Sequence, residues 1–258
     1  SVKTGTSAEY TSTAGDGIWT ASTPLYWDNL TPNSDGKYPF FALAGTNTLN
    51  ADATGGSVAL DQSINDGYNK ADMLAAYSET SARRQTLAFT LKHLMAQVTI
   101  VLKNTDNTST AFTEEQLRTA SATMSSLHTD YTTSFTASAW SVTAGPGTPA
   151  DVNLCPDASN ATSSSTMTYR GILPAQTVGS MTVMIDGKPY TINIDHSINA
   201  GENTVQTLIA SKTGIQLGNV SVSNWIENDL GNANLAINIT NNSGSDNTNF
   251  SLMYLWKN

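Results

Sequence analysis

The chain has 258 residues, of which 39% are hydrophobic and 13% charged, and its net charge is −9. The length suffices for one large or two ordinary domains, and the apolar fraction excludes a wholly disordered chain. The acidic balance and the thinly scattered basic residues argue against nucleic-acid binding, because phosphate contacts need clustered Lys and Arg. Ser, Thr, Asn and Gly supply most of the polar surface, which is typical of an extracellular β-protein.

The chain opens with SVKTGTSAEY, which has neither an initiator Met nor the apolar core of a signal peptide. We therefore expect a mature or trimmed chain. Cys155 is the one cysteine, so it cannot form an internal disulfide and is expected to be a small buried side chain. No stretch approaches the roughly 18 apolar residues of a membrane-spanning helix.

The segment LAFTLKHLMAQVTIVLKN, residues 87 to 104, alternates apolar and polar residues, and the phase of the alternation flips at His93. Because side chains in a strand repeat every two residues, the flip predicts a bulge or a strand that crosses from one sheet to another. Helical spacing from Leu87 to Leu102 leaves a helix as the alternative, which the β-branched run VTIV disfavours. Further on, Thr113 and Gln116 have the spacing of a capping box, which predicts one short helix.

Two polar stretches predict loops or a linker in the middle of the chain. AGPGTPAD, residues 144 to 151, is rich in Gly and Pro, and DASNATSSST, residues 157 to 166, is rich in Ser. We therefore predict one β-sandwich domain over residues 1–158 and a second over residues 159–258, with appended strands at about 234–258. The predicted fold class is all-β, with two tandem β-sandwiches and one or two short helices.

The clearest hairpin is MTVMIDGKPYTINI, residues 181 to 194. Asp186 and Gly187 suit the two positive-φ positions of a type I′ turn. Pro189 lacks a backbone N–H, which indicates an edge position or the start of a strand. GIQLGNVSVSNW and ANLAINIT are the next predicted extended segments.

The last nine residues, FSLMYLWKN, form a strand that is apolar on both faces. Such a strand is normally buried on both faces, and an exposed one is an aggregation hazard. It therefore pairs either inside its own domain, which is the default, or with a neighbouring molecule. Its candidate donor residues share one face: Phe250, Leu252, Tyr254 and Trp256.

No motif for catalysis or for a cofactor is recognisable, including the P-loop, G-x-G-x-x-G, G-x-S-x-G and H-E-x-x-H. His93, His128 and His196 lack ligand-like spacing, so no metal site is predicted. Asp195, His196 and Ser197 are triad residue types, but neighbours on a strand point to opposite faces.

Two weaker binding patterns remain open. The loops at residues 104 to 110 and 241 to 247 offer oxygen atoms of the kind that calcium accepts, although solvated loops explain them better. The five tryptophans could form a sugar-stacking platform, although aromatic residues in β-sandwiches more often fill cores. They are Trp19, Trp27, Trp140, Trp225 and Trp256.

Several phrases, taken in order, resemble the fimbrillin-like proteins, the subunits of type V pili in Bacteroidales. GDGIWTASTPLYWDN is similar to the family's entry with a Trp and an aromatic-Trp pair, and PFFALAG to its F-x-A-Y/L strand. KADMLAAYSE is similar to the D-L-L-x-A segment, which favours a strand there despite its helical propensity. LAFTLKHLMAQVTIVL is similar to F-x-H-x-x-A-K-L, with Gln97 where Lys is more usual. YRGILPAQTV resembles the I-x-P-Q entry to the second domain, and the segment from INAGENTVQTLIA to VSNW resembles the family's ending.

The resemblance implies two transthyretin-like β-sandwiches exported as a lipoprotein precursor, attached to the outer membrane and displayed at the cell surface. An Arg-specific protease removes the lipidated N-terminus with the first strand, and a neighbour's terminal strand fills the groove that opens. The expected partners are other pilus subunits, with a host glycan or protein ligand as a further candidate. The expected function is therefore a structural pilus subunit or pilus-associated adhesin that assembles by donor-strand addition.

Two other classes of function stay open. A secreted or surface-anchored carbohydrate-binding β-sandwich protein predicts solvent-exposed Trp side chains. A hydrolase predicts paired carboxylates in a cleft, and no spacing in the sequence supports one.

Overall fold

The computed structural model describes residues 10–11, 20–21, 25–26, 30–44, 54–81, 87–136, 138–225, 234–237, 249–250 and 254–255. Strands dominate these residues and are numbered here in chain order. The strands are β1 (Tyr10–Thr11), β2 (Thr20–Ala21), β3 (Leu25–Tyr26), β4 (Tyr38–Ala44), β5 (Gly55–Ser57), β6 (Leu74–Thr80), β7 (Leu87–Thr90), β8 (Lys92–His93), β9 (Ala96–Asn104), β10 (Ser121–Leu127), β11 (Asp130–Thr136), β12 (Ala139–Ala144), β13 (Ala150–Asn153), β14 (Cys155–Pro156), β15 (Thr166–Leu173), β16 (Gln176–Ile185), β17 (Lys188–Ile198), β18 (Glu202–Ser211), β19 (Gly214–Asn224), β20 (Asn234–Ile237), β21 (Asn249–Phe250) and β22 (Tyr254–Leu255).

Helices are short and few among the described residues. They are α1 (Asn65–Ala71), α2 (Glu114–Arg118) and a 3-10 turn at Ala158–Ala161. The predicted all-β class with one or two short helices is therefore confirmed.

Two sheets form the C-terminal sandwich. One has the strand order β14-β15-β9-β18-β19, and the other has the order β13-β10-β16-β17. Strand alternation directs one row of side chains from each sheet inward, which builds a continuous core. Its fully buried members include Ile100, Leu102, Met124, Met181 and Leu208. Cys155 is free and buried, as predicted.

The predicted division at residue 158 does not follow the sheets. β9 pairs with β15 and, in parallel, with β18, while β10 pairs with β16. Strands that precede residue 158 therefore form the centre of the sandwich that the sequence assigned to residues 159–258. The sheets change partners between His93 and Ala96, so we propose that the C-terminal sandwich occupies roughly residues 96–225, except for the β11–β12 hairpin, which forms a sheet with β5.

The Ser-rich stretch misled the domain assignment because its polar side chains serve the backbone locally. Asp157 accepts a hydrogen bond from the Ser159 backbone N–H and so caps the 3-10 turn. Asn160 is buried, donates to the Thr168 carbonyl (2.8 Å) and accepts from the Thr168 N–H (2.7 Å). A residue tied to β15 in this way belongs to the domain and not to a linker.

The N-terminal sandwich places the sheet β22-β4-β6-β8 opposite the sheet β12-β11-β5. The predicted extended structure of ADMLAAYSE is confirmed from Leu74 onward, where β6 begins. Helix α1, which the sequence did not predict, ends at Ala71, the first residue of this segment. In β6 the packing against β4 outweighs the helical propensity of the sequence.

The phase flip at His93 marks a change of sheet. Lys92 and His93 pair with β6 in the N-terminal sandwich, and Ala96 begins β9 in the C-terminal sandwich. The crossing explains why the apolar side chains change phase, since the buried face of the chain changes with the sheet.

The predicted hairpin turn is also confirmed. Asp186 and Gly187 have φ values of 52° and 72°, which are the positive values of a type I′ turn. β17 is the last strand of its sheet, and Pro189 is its second residue. The missing proline N–H therefore removes no bond that the sheet needs.

The capping box of α2 forms as the sequence predicts. The Gln116 N–H donates to the Thr113 Oγ1 (3.2 Å), and the Gln116 Oε1 accepts from the Thr113 N–H (3.0 Å). We expect Thr113→Ala to lower the free energy of unfolding by about 1 kcal/mol, the usual effect of losing an N-cap. Urea titration followed by circular dichroism measures this change. Thr148→Ala, which changes an exposed loop threonine, serves as the control and should have no measurable effect.

Candidate assembly site

Three strands near the end of the chain pair with strands near its beginning. β20 pairs with β7, β21 with β3, and β22 with β4. We call β20, β21 and β22 the C-terminal strands and β3, β4 and β7 the acceptor strands. The C-terminal strands thus extend the sheets of the N-terminal sandwich, although the chain reaches them only after completing the C-terminal sandwich.

The predicted donor residues fall partly within these strands. Phe250 belongs to β21 and Tyr254 to β22, while Leu252 and Trp256 lie outside the described residues. The backbone of Phe250 is in register with Leu25, and that of Tyr254 with Leu43. Of the two alternatives that the sequence left open, the structure presents pairing within the same chain.

β4 is the central acceptor strand. It pairs with β6 antiparallel along all seven of its residues, from Tyr38 to Ala44. On its other side only two of its residues, Leu43 and Ala44, pair with β22, and that ladder is parallel. Within the described strands, the pairing on this side of β4 is therefore shorter than the pairing with β6.

An aromatic cluster lies beneath β4 and joins the two sheets of the N-terminal sandwich. The Phe41 ring lies 4.7 Å from that of Phe135 and 5.3 Å from that of Tyr77, and Trp140 completes the cluster at 5.9 Å from Phe41. The contact between Phe41 and Phe135 is edge-to-face, a favourable arrangement for aromatic pairs. The cluster holds β4 in place from below, so the acceptor strand is preformed.

The sequence did not predict that these four residues form a cluster. Phe41 and Tyr77 lie in the quoted phrases PFFALAG and KADMLAAYSE, but Phe135 carried no separate signal. Phe135 and Trp140 are cross-strand partners in the β11–β12 hairpin, just as Phe41 and Tyr77 are across β4 and β6. A hairpin prediction for residues 130 to 144 would have paired the first two residues, but only the tertiary fold brings the two pairs together.

A polar network lies at the start of β4. Lys37 Nζ bonds to Glu79, and the Tyr77 hydroxyl donates to Glu79 Oε2 over 2.8 Å. The hydrogen bonds from Lys37 and Tyr77 hold the pKa of Glu79 below its ordinary value, and the same carboxylate raises the pKa of Lys37. Burial is the main cause of the raised pKa of Tyr77. Because Lys37 and Glu79 are solvent-accessible, the network orients side chains and adds little stability.

A second cluster lies where the two sandwiches join. The His93 imidazole stacks on the Trp225 indole, with ring centroids 3.8 Å apart, and its Nδ1 lies 2.9 Å from Asp72 Oδ1. The backbone N–H of Trp225 donates to the Gly201 carbonyl, and the backbone N–H of Gly201 donates to the Met95 carbonyl. These contacts fix the position at which the chain leaves the C-terminal sandwich and continues toward the C-terminal strands.

The other candidate sites from the sequence show no catalytic arrangement. The hydroxyls of Ser197 and Thr177 lie 3.2 Å apart, while His196 lines a small, mostly apolar cleft with Val98 and Ile194. No group of three or more His, Cys, Asp or Glu within the described residues could hold a metal ion. In the loop at 104 to 110 the Asn107 Oδ1 accepts from the Ser109 hydroxyl, and the loop at 241 to 247 lies outside the described residues.

The tryptophans that the structure describes are core residues. Trp140 and Trp225 are 9% and 6% exposed. Trp19, Trp27 and Trp256 lie outside the described residues. Neither described tryptophan is available to stack on a sugar.

The family model of fimbrillin-like proteins matches residues 2–225 of this chain. The chain belongs to the fimbrillin-like family. The match confirms the resemblance that the ordered sequence phrases indicated, and it covers both sandwiches apart from the C-terminal strands. Within this fimbrillin-like chain, His93 and Trp225 come from two separate phrases of that resemblance and are in direct contact.

Solved structures share the fold of this fimbrillin-like chain. Two of them are described as putative cell adhesion proteins. The protein from Bacteroides uniformis ATCC 8492 is 19% identical, with a TM-score of 0.57 over 82% of this chain and 78% of that chain. The protein from Bacteroides ovatus ATCC 8483 is 15% identical, with a TM-score of 0.58 over 81% of this chain and 76% of that chain. No protein of curated function matches the sequence.

The structure contains no helix within the described residues that is long and apolar enough to cross a membrane.

Proposed function

We propose that this chain is a pilus subunit or pilus-associated adhesin of the cell surface that assembles by donor-strand addition. The observation that carries the proposal is the pairing of the C-terminal strands with the acceptor strands of the N-terminal sandwich. The C-terminal strands complete a sandwich that lies far from them in the sequence. They can complete the N-terminal sandwich of a second copy in the same way, because the backbone hydrogen bonds are identical in the two arrangements. Membership of the fimbrillin-like family supports the same function.

Backbone pairing holds each C-terminal strand against its acceptor strand. Within the described residues this pairing comprises four residue pairs between β20 and β7, two between β21 and β3, and two between β22 and β4. A backbone hydrogen bond contributes about 1 kcal/mol net, so each of these pieces holds weakly by itself. Release from the chain's own sandwich and capture by a neighbour therefore requires only local opening.

The preformed acceptor favours capture in the neighbour. The described members of the aromatic cluster beneath β4 come from β4, β6, β11 and β12. Because the cluster is already ordered, an incoming strand bears only its own loss of conformational entropy.

The partners in this proposal are other pilus subunits, and the location is the cell surface, reached as a lipoprotein precursor. Catalysis is not part of the proposal, because fimbrillin-like proteins serve in assembly and adhesion. The carbohydrate-binding alternative needs exposed tryptophans, and both tryptophans that the structure describes are buried.

Immunogold electron microscopy of producing cells tests the function. An antibody against this chain is expected to label fibres, along the shaft for a major subunit or at an end for a tip or anchor subunit. Labelling of the cell surface with no fibre would contradict the proposal if unboiled gels also showed no ladder, that is, no series of bands from oligomers of increasing size.

A further inference from the structure

The free edge of the C-terminal sandwich at β19 differs from the other sheet edges of that sandwich. β19 runs from Gly214 to Asn224 and is the last strand of its sheet, with β18 as its partner among the described strands. Its sequence, GIQLGNVSVSN, contains no charged residue and no proline. Natural sheets usually protect a long edge of this kind with such residues.

The other three edges of this sandwich each have protection. β14 has two residues, and one of them is Pro156. The backbone of β13 bonds to Leu60 and Gln62, which cover its outer side. β17 has Pro189 near its start and an irregular register near Asp195, whose φ is 45°. Among the described strands of this sandwich, β19 therefore has the least protected edge, and another strand can pair there.

Apolar side chains accompany this open edge. Leu217, Val220 and Val222 are 49%, 44% and 46% exposed. They are cross-strand partners of Leu208, Gln206 and Thr204, which are buried, so they share the inner face of the sheet. A bulge between Leu217 and Val220 separates one flat segment, Gly214–Leu217, from another, Val220–Asn224. Each flat segment has the backbone geometry to pair with a strand.

The charge distribution identifies the partner strand. The chain has a net charge of −9, so two copies repel each other at most orientations, and contact is least opposed where both surfaces are neutral. β19 provides such a surface. In an antiparallel arrangement, the turn that contains Lys212 in one copy also approaches the end of β18 that contains Glu202 in the other. This arrangement brings opposite charges together, whereas a parallel arrangement would bring like charges together.

We propose that β19 is a homotypic interface: two copies of this chain pair their β19 edges antiparallel about a two-fold axis, joining two five-stranded sheets into one. The contact is separate from donor-strand addition, which uses the N-terminal sandwich. In a fibre it would join neighbouring copies side by side.

Sedimentation velocity of the full chain over a concentration range tests the interface. The wild type is expected to show a reversible monomer–dimer equilibrium that persists in 0.5 M NaCl. Salt screens the repulsion between the acidic copies, which favours association through a neutral contact. The double variant Val220→Lys, Val222→Lys should weaken the association at least about tenfold, since two facing copies would bring four lysines together. Ile209→Lys, which alters an exposed apolar residue on the opposite face of β18, is the matched control and should dimerise like the wild type.

Two further measurements keep the outcome decisive. If the lysine variant does not fold, as judged by circular dichroism, Val220→Thr with Val222→Thr replaces it and should also weaken the dimer. Ladders on unboiled gels should be the same for all variants, because they report donor-strand addition. Loss of the ladders while the dimer persists would contradict the proposed function but would still support the β19 interface. A wild type that stays monomeric to millimolar concentration, or a lysine variant that dimerises as well as the wild type, overturns the β19 interface.

Discussion

Deleting residues 249–258 is expected to abolish ladder formation on unboiled gels while the monomer stays folded. The deletion removes β21 and β22, whose partners are β3 and β4 in the N-terminal sandwich. The C-terminal sandwich uses no residue beyond Trp225 in its described sheets, so its thermal transition should be unchanged. The N-terminal sandwich should melt earlier, because β3 and β4 then lose their pairing with β21 and β22.

A synthetic peptide of residues 249–258 makes this test quantitative. Bound to the deletion variant, it should restore the melting temperature and give a saturable change in fluorescence polarisation. Replacing Phe250, Leu252, Tyr254 and Trp256 by Ala should remove binding, since burial of each side chain contributes roughly 1.5–3 kcal/mol. A control peptide with Ser251→Ala and Met253→Ala, on the opposite face, should bind within a few fold of the wild type.

Two results would contradict donor-strand addition. One is a deletion variant that is wholly unfolded, which would make the last strands an obligatory part of the monomer. The other is a deletion variant that still forms ladders as the full chain does.

Gln62→Ala is expected to lower the free energy of unfolding of the C-terminal sandwich by about 2–4 kcal/mol. Gln62 is fully buried, and its side chain accepts from the Ile172 N–H and donates to the Ile172 carbonyl, both over 2.8 Å. The side chain thus pairs with β15 as a neighbouring strand would. Truncation leaves two buried backbone groups unsatisfied, at about 1–3 kcal/mol each. Gln216→Ala, at an exposed position on β19, is the matched control and should have little effect.

Gln62→Glu separates hydrogen bonding from packing, because it keeps the size of the side chain. At neutral pH the carboxylate cannot donate to Ile172 and is buried, which raises its pKa in the folded state. Because the pKa of this carboxyl group is raised in the folded state, the free energy of unfolding of the variant increases as the pH falls. The protonated carboxyl group then has an O–H that can donate a hydrogen bond. Urea titrations at pH 5 and pH 7.5 should therefore show a smaller destabilisation at the lower pH. Equal destabilisation at both would show that the hydrogen bonds are not the cause.

Local sequence signals predicted several elements closely. The Asp186-Gly187 turn, the capping box at Thr113 and the change of phase at His93 all formed as expected, because each depends on neighbours within a few residues. The domain boundary did not follow the sequence signal. β9 pairs with β18, about a hundred residues later in the chain, and a Ser-rich stretch has the same composition whether it links domains or caps a turn. The aromatic cluster was missed for the same reason: its two cross-strand pairs come from separate sheets.

The sequence by itself determined the all-β class, the family, the absence of recognisable catalytic motifs and the apolar character of the final strand. These properties depend on composition, alternation and the order of short phrases. Only the tertiary structure decided which strands share a sheet, that the C-terminal strands pair with β3, β4 and β7, and that β19 ends its sheet with a neutral edge. Strand pairing joins residues far apart in the chain, and hydrogen bonds between backbones are nearly independent of side-chain identity, so the sequence alone does not specify the partner.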